Sequence, residues 1–384
     1  MLAASKIQAS PASRHVAEWT SVEKLGNHKE RWARLAANAI EPNPFYEQEW
    51  LSASVRELRQ EDISCVAIYD CGARDSNLIG LFPLQPARLL HGAIIPSLEF
   101  YRNDFVCSTA PLIDKSDPVG VWHSFFDAFN RDRPMPRIVI SQLMPANSVL
   151  KSTLDQALEE RALACAVVGH FERAAVAPEG QNYDTYVGKY SARRTKDLRR
   201  RNRKLGELGN IRISTVHGGS EAQTAIADFL RIEQSGWKGK KGTAMASSAS
   251  DKAFALSVFA AENVDFDVVS LDGNAIAVAV NLVRNGAIFT VKTAFDEAYS
   301  ACSPGVMLDL QLVRNCTSGR YERADSCAIA NHPVEGYWLE KQQIESLVIA
   351  VNPAVSASRV ESLASTLRNV ARLKNWLKDH IRPG

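Results

Sequence analysis

The side chains best suited to moving a proton near neutral pH are Glu233, Asp296 and His332, all in the second half of the sequence. A carboxylate takes a proton from an incoming ammonium when burial raises its pKa, and an imidazole has a suitable pKa unaided. Glu233 is followed by Trp237 and Lys238. It is therefore either a base beside an aromatic pocket wall, or a carboxylate that is solvated or paired with Lys238 while Trp237 joins the core. Lys292, Asp296 and Tyr299 pose a similar choice between a carboxylate that holds an amine and a Lys292–Asp296 ion pair that shapes a loop. His332 precedes a proline and Tyr337, with Asp325 upstream to orient its ring; a turn histidine is the plainer alternative. Ser303-Pro304-Gly305 reads as a helix start, with Ser as cap and Pro at the first position. Such a start favours an anion through its free N–H groups. The cysteines at 65, 71, 107, 165, 302, 316 and 327 show no CxxC or CxxH spacing and no protease-like histidine partner. This argues against zinc, a disulfide framework and an acyl-cysteine at Cys302 or Cys327.

Around these groups the hydrophobic period defines the elements that must position them. Residues 266–271, 275–283 and 287–293 are strands joined by turns at Asp272-Gly273 and Arg284-Asn285-Gly286, an antiparallel meander. A helix over 222–236 precedes it and a helix over 303–314 follows. Strands over 321–330 and 346–352 then flank a short helix near 334–343. The first half has the same order in outline: helices over 22–38 and to about 59, a hairpin over 65–84, and short strands at 93–100 and 104–107. A helix over 119–130, a strand over 137–141 and a helix over 148–164 complete it. The expected fold is α/β (α+β), two tandem domains with largely antiparallel mixed sheets flanked by helices. Residues 1–20 read as a loose leader, 21–180 and 181–352 as the domains, and 353–384 as a C-terminal helix.

The 384 residues are too many for one small module, and 46% apolar composition excludes wholesale disorder. No run approaches the roughly 18–20 apolar residues needed to cross a bilayer, and no export signal is evident, so a cytoplasmic protein is expected.

Three strings carry a family resemblance: Arg231-Ile-Glu-Gln-Ser-Gly-Trp-Lys-Gly-Lys-Lys-Gly-Thr-Ala, Val291-Lys-Thr-Ala-Phe-Asp-Glu-Ala-Tyr and Ser303-Pro-Gly-Val-Met-Leu. Over residues 30–345 the chain resembles the GNAT acyltransferase superfamily, in the branch that groups cellulose-biosynthesis-associated acyltransferases with Fem-type aminoacyl transferases. The string Asp325-Ser-Cys-Ala-Ile-Ala-Asn-His-Pro is similar to a subgroup of bacterial ceramide-synthase-like enzymes. The resemblance implies transfer of an acyl group to an amine, with acyl-CoA as co-substrate and no permanent cofactor or metal. It implies CoA contacts at Ser303, Gly305 and Val306, where Pro304 removes one donor and the usual Gln/Arg-x-x-Gly-x-Gly/Ala pattern is not kept. It also implies an oxyanion site at Lys292, Thr293 and Ala294. Glu233, Asp296 or His332 would be the base, and Tyr337 would protonate the leaving thiolate. Trp237, Lys238, Tyr299 and Asp325 would contact substrate.

Two segments are strongly basic. Lys189 to Lys204 holds nine Lys or Arg against Asp197, a net +8, while the whole chain is only +2. It could bind CoA phosphates, anionic lipid or a tRNA backbone, or be a solvated linker helix. Residues 356–384 carry a net +4 and the apolar stripe Leu363, Leu367, Val370, Leu373, Trp376, Leu377. This helix either packs on the second domain or lies on the inner-membrane surface. The acceptor is read as a sphingoid-type amine lipid or a polysaccharide amino sugar of the envelope, and no DNA partner is expected. The alternatives are a Fem-type aminoacyl-tRNA-dependent transferase and a non-catalytic accessory protein of envelope biosynthesis.

Overall fold

The computed structural model describes residues 15–60, 62–70, 77–87, 97–130 and 136–380, with side chains to 372. The first fourteen residues, the hairpin turn at 71–76, the start of the strand expected at 93–100 and the side chains of Trp376 and Leu377 lie outside that description. The chain divides into two units, one of residues 1–52, 60–171 and 343–384, the other of 53–59 and 172–342. Both are mixed α/β.

The first unit begins with β1 (His15–Ser21), α1 (Val22–Gly26), α2 (Lys29–Asn38) and the first five residues of α3 (Gln48–Leu58), whose remainder is counted with the second unit. Then follow β2 (Ser64–Asp70), β3 (Asn77–Pro86), β4 (Ser97–Phe100), β5 (Leu112–Ile113), α4 (Pro118–Asp127), β6 (Ile138–Pro145), α5 (Val149–Glu160) and β7 (Cys165–Val176), which runs on into the second unit. The expected leader is corrected here: residues 15–21 pair antiparallel with β2. They do so because His15, Ala17 and Trp19 alternate into the core, where the Trp19 indole donates to the Ala128 carbonyl at 3.0 Å. Strands β1 to β4 form antiparallel pairs, and β4 lies parallel to β6.

The second unit contains α6 (Tyr183–Gly188), α7 (Ala192–Gly206), β8 (Ile211–His217), α8 (Gln223–Ser235), α9 (Trp237–Lys240) and α10 (Ala249–Val258). Next come β9 (Val264–Leu271), β10 (Asn274–Arg284), β11 (Ala287–Phe295), α11 (Pro304–Thr317) and β12 (Arg323–Asp325). Strands β8 to β11 form the expected meander, extended by β8. Its two turns have positive φ at both central residues, Asp272-Gly273 and Asn285-Gly286, the geometry that matches strand twist in a two-residue hairpin. The strand expected over 321–330 shrinks to three residues because Cys327 and Asn331 turn left-handed. The helix expected near 334–343 is a single 3-10 turn at Pro333–Gly336.

The last elements, β13 (Glu340–Ala350) and α12 (Ala357–His380), return to the first unit from Gln343 onward. Val360, Ala364 and Leu367 of α12 are buried against Ile138, Ile140, Val348 and Ala350. The helix thus packs on the first unit, where the sequence suggested the second. Among the described residues no helix is long and apolar enough to cross a membrane.

Candidate active site

The sheet of the second unit opens at one point. Strand β11 pairs in parallel with β12 only at Ala287–Arg323, Ile288–Ala324 and Phe289–Asp325. Beyond that β12 ends, while β11 continues along β10 as far as Phe295–Ala277. A register shift makes Val291 an extra, bulged residue, which bends the strand where the two part. Thr290 is fixed at the fork by a buried relay: its hydroxyl donates to Asn281 (2.9 Å), whose amide donates to Asp267 (3.0 Å), which also accepts from Thr215 (2.7 Å). Burial pushes the Asp267 carboxyl up to about 6. From Thr290 to Phe295, including Lys292, Thr293 and Ala294, β11 runs on beyond its last pair with β12.

The start of α11 lies against the end of that strand, since a side chain at Gly305 would meet the Phe295 ring at 3.5 Å. Ser303 is left-handed (φ 52°) and, contrary to the sequence expectation, its side chain does not cap the helix. The hydroxyl is instead taken by the Arg201 guanidinium and by the Ser300 carbonyl. The Val306 N–H returns to the Ser303 carbonyl at 3.0 Å. The helix therefore starts without a side-chain cap and with an arginine beside it, which also pairs with Asp197 at 2.7 Å; the uncapped start itself favours an anion. Arg201 belongs to α7, whose inner face is Arg194, Leu198, Arg201 and Leu205, while Arg193, Lys196, Arg199, Arg200, Arg203 and Lys204 are exposed.

Glu233 is buried at the base of a cationic cluster. Lys238 donates to it at 3.0 Å, the Lys292 ammonium is 4.0 Å away, and its second oxygen accepts the Met245 N–H at 2.9 Å. The pairing alternative is the one observed for Glu233–Lys238, and Lys292 turns to Glu233 where a pair with Asp296 had been the alternative. Trp237 is neither core nor enclosed: it is 53% exposed, with Lys241 over its ring and its N–H on Glu297. Asp296 ends β11 half-buried; one oxygen accepts the Ala298 N–H, and the other has no hydrogen-bond partner among the described residues. Tyr299 packs against the core around Leu205 and Leu308.

Burial lowers the His332 pKa, Glu335 opposes this and Lys238 adds to it, which places the 326–332 loop within electrostatic reach of Lys238. Nδ1 accepts the Val334 N–H at 3.3 Å, so the neutral ring carries its proton on Nε2. In this geometry His332 is a donor with no free lone pair for a base. Asp325 does not orient it, because one of its oxygens pairs with buried Arg173 (2.6 Å) and the other accepts the Cys327 N–H. Tyr337 follows the 3-10 turn, with its ring flanked by Tyr190 and by Arg194.

One group was not anticipated. Asp309, partly buried on the second turn of α11, has a carboxylate without a hydrogen-bond partner among the described residues, and burial pushes it up to about 7. It lies within electrostatic reach of Tyr190, whose hydroxyl donates to the Tyr337 carbonyl at 2.5 Å. An acid inside an amphipathic helix reads as solvated from sequence, so no spacing signal marks it. Among the described residues no group of three or more His, Cys, Asp or Glu converges as a metal site.

Residues 192–332 match the model of an acetyltransferase (GNAT) domain. The match spans α7, the fork, α11 and the His332 loop. Solved structures similar to the chain include FemX, at 8% identity and a TM-score of 0.54 over 85% of this chain and 96% of that one. A Bacteroides thetaiotaomicron protein of unknown function has 8% identity and a TM-score of 0.51 over 85% and 97%. The C-terminal domain of a putative lysylphosphatidylglycerol synthetase from Agrobacterium fabrum has 12% identity and a TM-score of 0.49 over 90% and 97%. At these identities the likeness to FemX and to the Bacteroides protein is one of fold. Curated proteins give no match to this sequence.

Proposed function

We propose that the protein is an acyl-CoA-dependent N-acyltransferase that forms an amide on a primary amine. The observation that carries this reading is the early end of the β11–β12 ladder beside the uncapped, arginine-flanked start of α11. The donor's pyrophosphate would rest at the start of α11 on the Gly305 N–H and Arg201, with Ser303 and Val306 lining the site, and its thioester would reach through the fork. The amine attacks the thioester carbonyl carbon, and the β11 backbone at Lys292, Thr293 and Ala294 holds the oxyanion. Asp296 is the favoured base, because it keeps a free carboxylate oxygen at the strand end whereas both oxygens of Glu233 are engaged. Collapse expels the CoA thiolate, which takes a proton from Tyr337 or from the protonated fraction of Asp309. Glu233 positions Lys238 and Lys292 at the mouth.

The acceptor class is an envelope amine, a sphingoid-type lipid or an amino sugar of a polysaccharide. The exposed basic face of α7 favours a second reading, a Fem-type transferase that takes its acyl group from aminoacyl-tRNA. Calorimetric titration with acetyl-CoA, palmitoyl-CoA and CoA, followed by mass spectrometry of amide products from sphinganine and glucosamine, separates them. Thioester binding with amide formation is expected; salt-sensitive tRNA binding with no thioester binding would transfer the reading to the second.

A further inference from the structure

Three loops lie near the mouth of the fork, and two of them are bonded to each other. The α8–α9 loop meets the turn after β11 through Glu297, which accepts the Trp237 N–H (2.6 Å) and the Lys240 ammonium (2.8 Å). The loop after β12 comes within electrostatic reach of Lys238. Large apolar side chains are exposed beside these loops: Trp237, first in α9, at 53%, Phe295, last in β11, at 37%, and Ile329, in the loop after β12, at 79%. Of the tryptophans with described side chains, Trp237 is the exposed one; Trp19, Trp32, Trp50, Trp122 and Trp338 are buried. Lys241 sits over its ring, and α7, with its outward row of Arg and Lys, is tied to the same mouth by the Arg201–Ser303 contact.

We infer that this mouth docks on an anionic bilayer surface, with Trp237, Phe295 and Ile329 in the headgroup–acyl boundary and the basic side chains against lipid phosphates. Aromatic residues interleaved with lysine suit that boundary, where an amphipathic ring and a long cationic stem are both satisfied. A two-fold pairing of this surface with a second copy would bring basic helix against basic helix. An RNA backbone would answer the charge but leave Ile329 and Phe295 in water. Docking would let a lipid amine enter the fork without first leaving the membrane. The inference goes beyond the proposed reaction and does not require turnover.

Full-length protein is mixed with brominated vesicles of phosphatidylglycerol and phosphatidylcholine, and tryptophan quenching is read together with co-sedimentation. Quenching that is absent with pure phosphatidylcholine, persists in Trp376→Phe and is largely lost in Trp237→Phe is expected. Arg199→Ala and Arg203→Ala should each weaken partitioning about fivefold. No vesicle binding would overturn the inference. So would quenching that survives Trp237→Phe but vanishes in Trp376→Phe, which would assign the contact to α12, and so would tight tRNA binding in place of vesicle binding. Vesicle binding without CoA-thioester binding would sink the acyl-CoA reading and leave the docking surface standing; thioester binding without vesicles would do the reverse.

Discussion

The two units each start a helix with proline after the strands, and they treat that helix start oppositely. In the first unit Asp117 caps α4: one carboxylate oxygen accepts the Gly120 N–H at 3.0 Å and the other pairs with His15 at 2.9 Å. The helix thus supplies its own anion. Beyond the three β4–β6 pairs, buried Thr109 spans to Leu143, with N–H to carbonyl at 3.0 Å and hydroxyl accepting the Leu143 N–H at 3.1 Å. Glu99 is locked between Gln85 and Gln142. In the core of this unit Phe82 stacks on Phe125 and meets Trp122 edge-on. In the second unit α11 starts without a side-chain cap, Arg201 replaces the carboxylate, and β11 runs on past the end of β12. Among the described residues, one architecture has been closed and built as a core in one place and left open in the other, and it is the open one where we propose that the donor binds.

Making the open helix start like the closed one should have the largest effect. Ser303→Asp puts a carboxylate where the donor's phosphates would rest, and affinity for acyl-CoA in calorimetry should fall at least tenfold, about 1.4 kcal/mol or more. Glu233→Gln removes the anion shared by Lys238 and Lys292 and should cost about 1–3 kcal/mol of stability in urea unfolding. It should lower turnover more than donor affinity. For Asp309 the folded pKa, about 7, is above that of an unfolded aspartate, so the folded state binds more protons between pH 4 and 7. Stability then falls as pH rises through that window and levels off above it. Asp309→Asn should flatten this slope and stabilise the protein by about 1–2 kcal/mol at pH 7.5, a figure reduced for its partial exposure. Asp117→Ala should have the smallest effect, about 1 kcal/mol lost with the α4 cap and no change in donor binding. A donor-affinity loss here equal to that of Ser303→Asp would erase the contrast between the units.

Local chemistry made much of the second unit legible in the sequence. Asp272-Gly273 and Asn285-Gly286 specify tight hairpins, and the intervening apolar runs specify the meander. What sequence spacing does not carry is partnership across the chain. Asp325 reads as a histidine orienter because both residues are near in sequence, yet its partner Arg173 is 152 positions away. Ser303 has the type of a cap, but whether its hydroxyl serves the helix depends on Arg201 arriving from α7. Residues 15–21 alternate over too few positions to distinguish a strand from a leader until β2 supplies the ladder. Asp309 is invisible for the same reason: its pKa is set by what packs over it.

Hydrogen exchange with and without saturating acyl-CoA tests the central claim most directly, because it reads both helix starts and both strand forks at once. The account predicts protection confined to residues 290–296 and 303–307, with none at 97–100 or 117–121. Protection at the start of α4, or equal protection in both units, would contradict it.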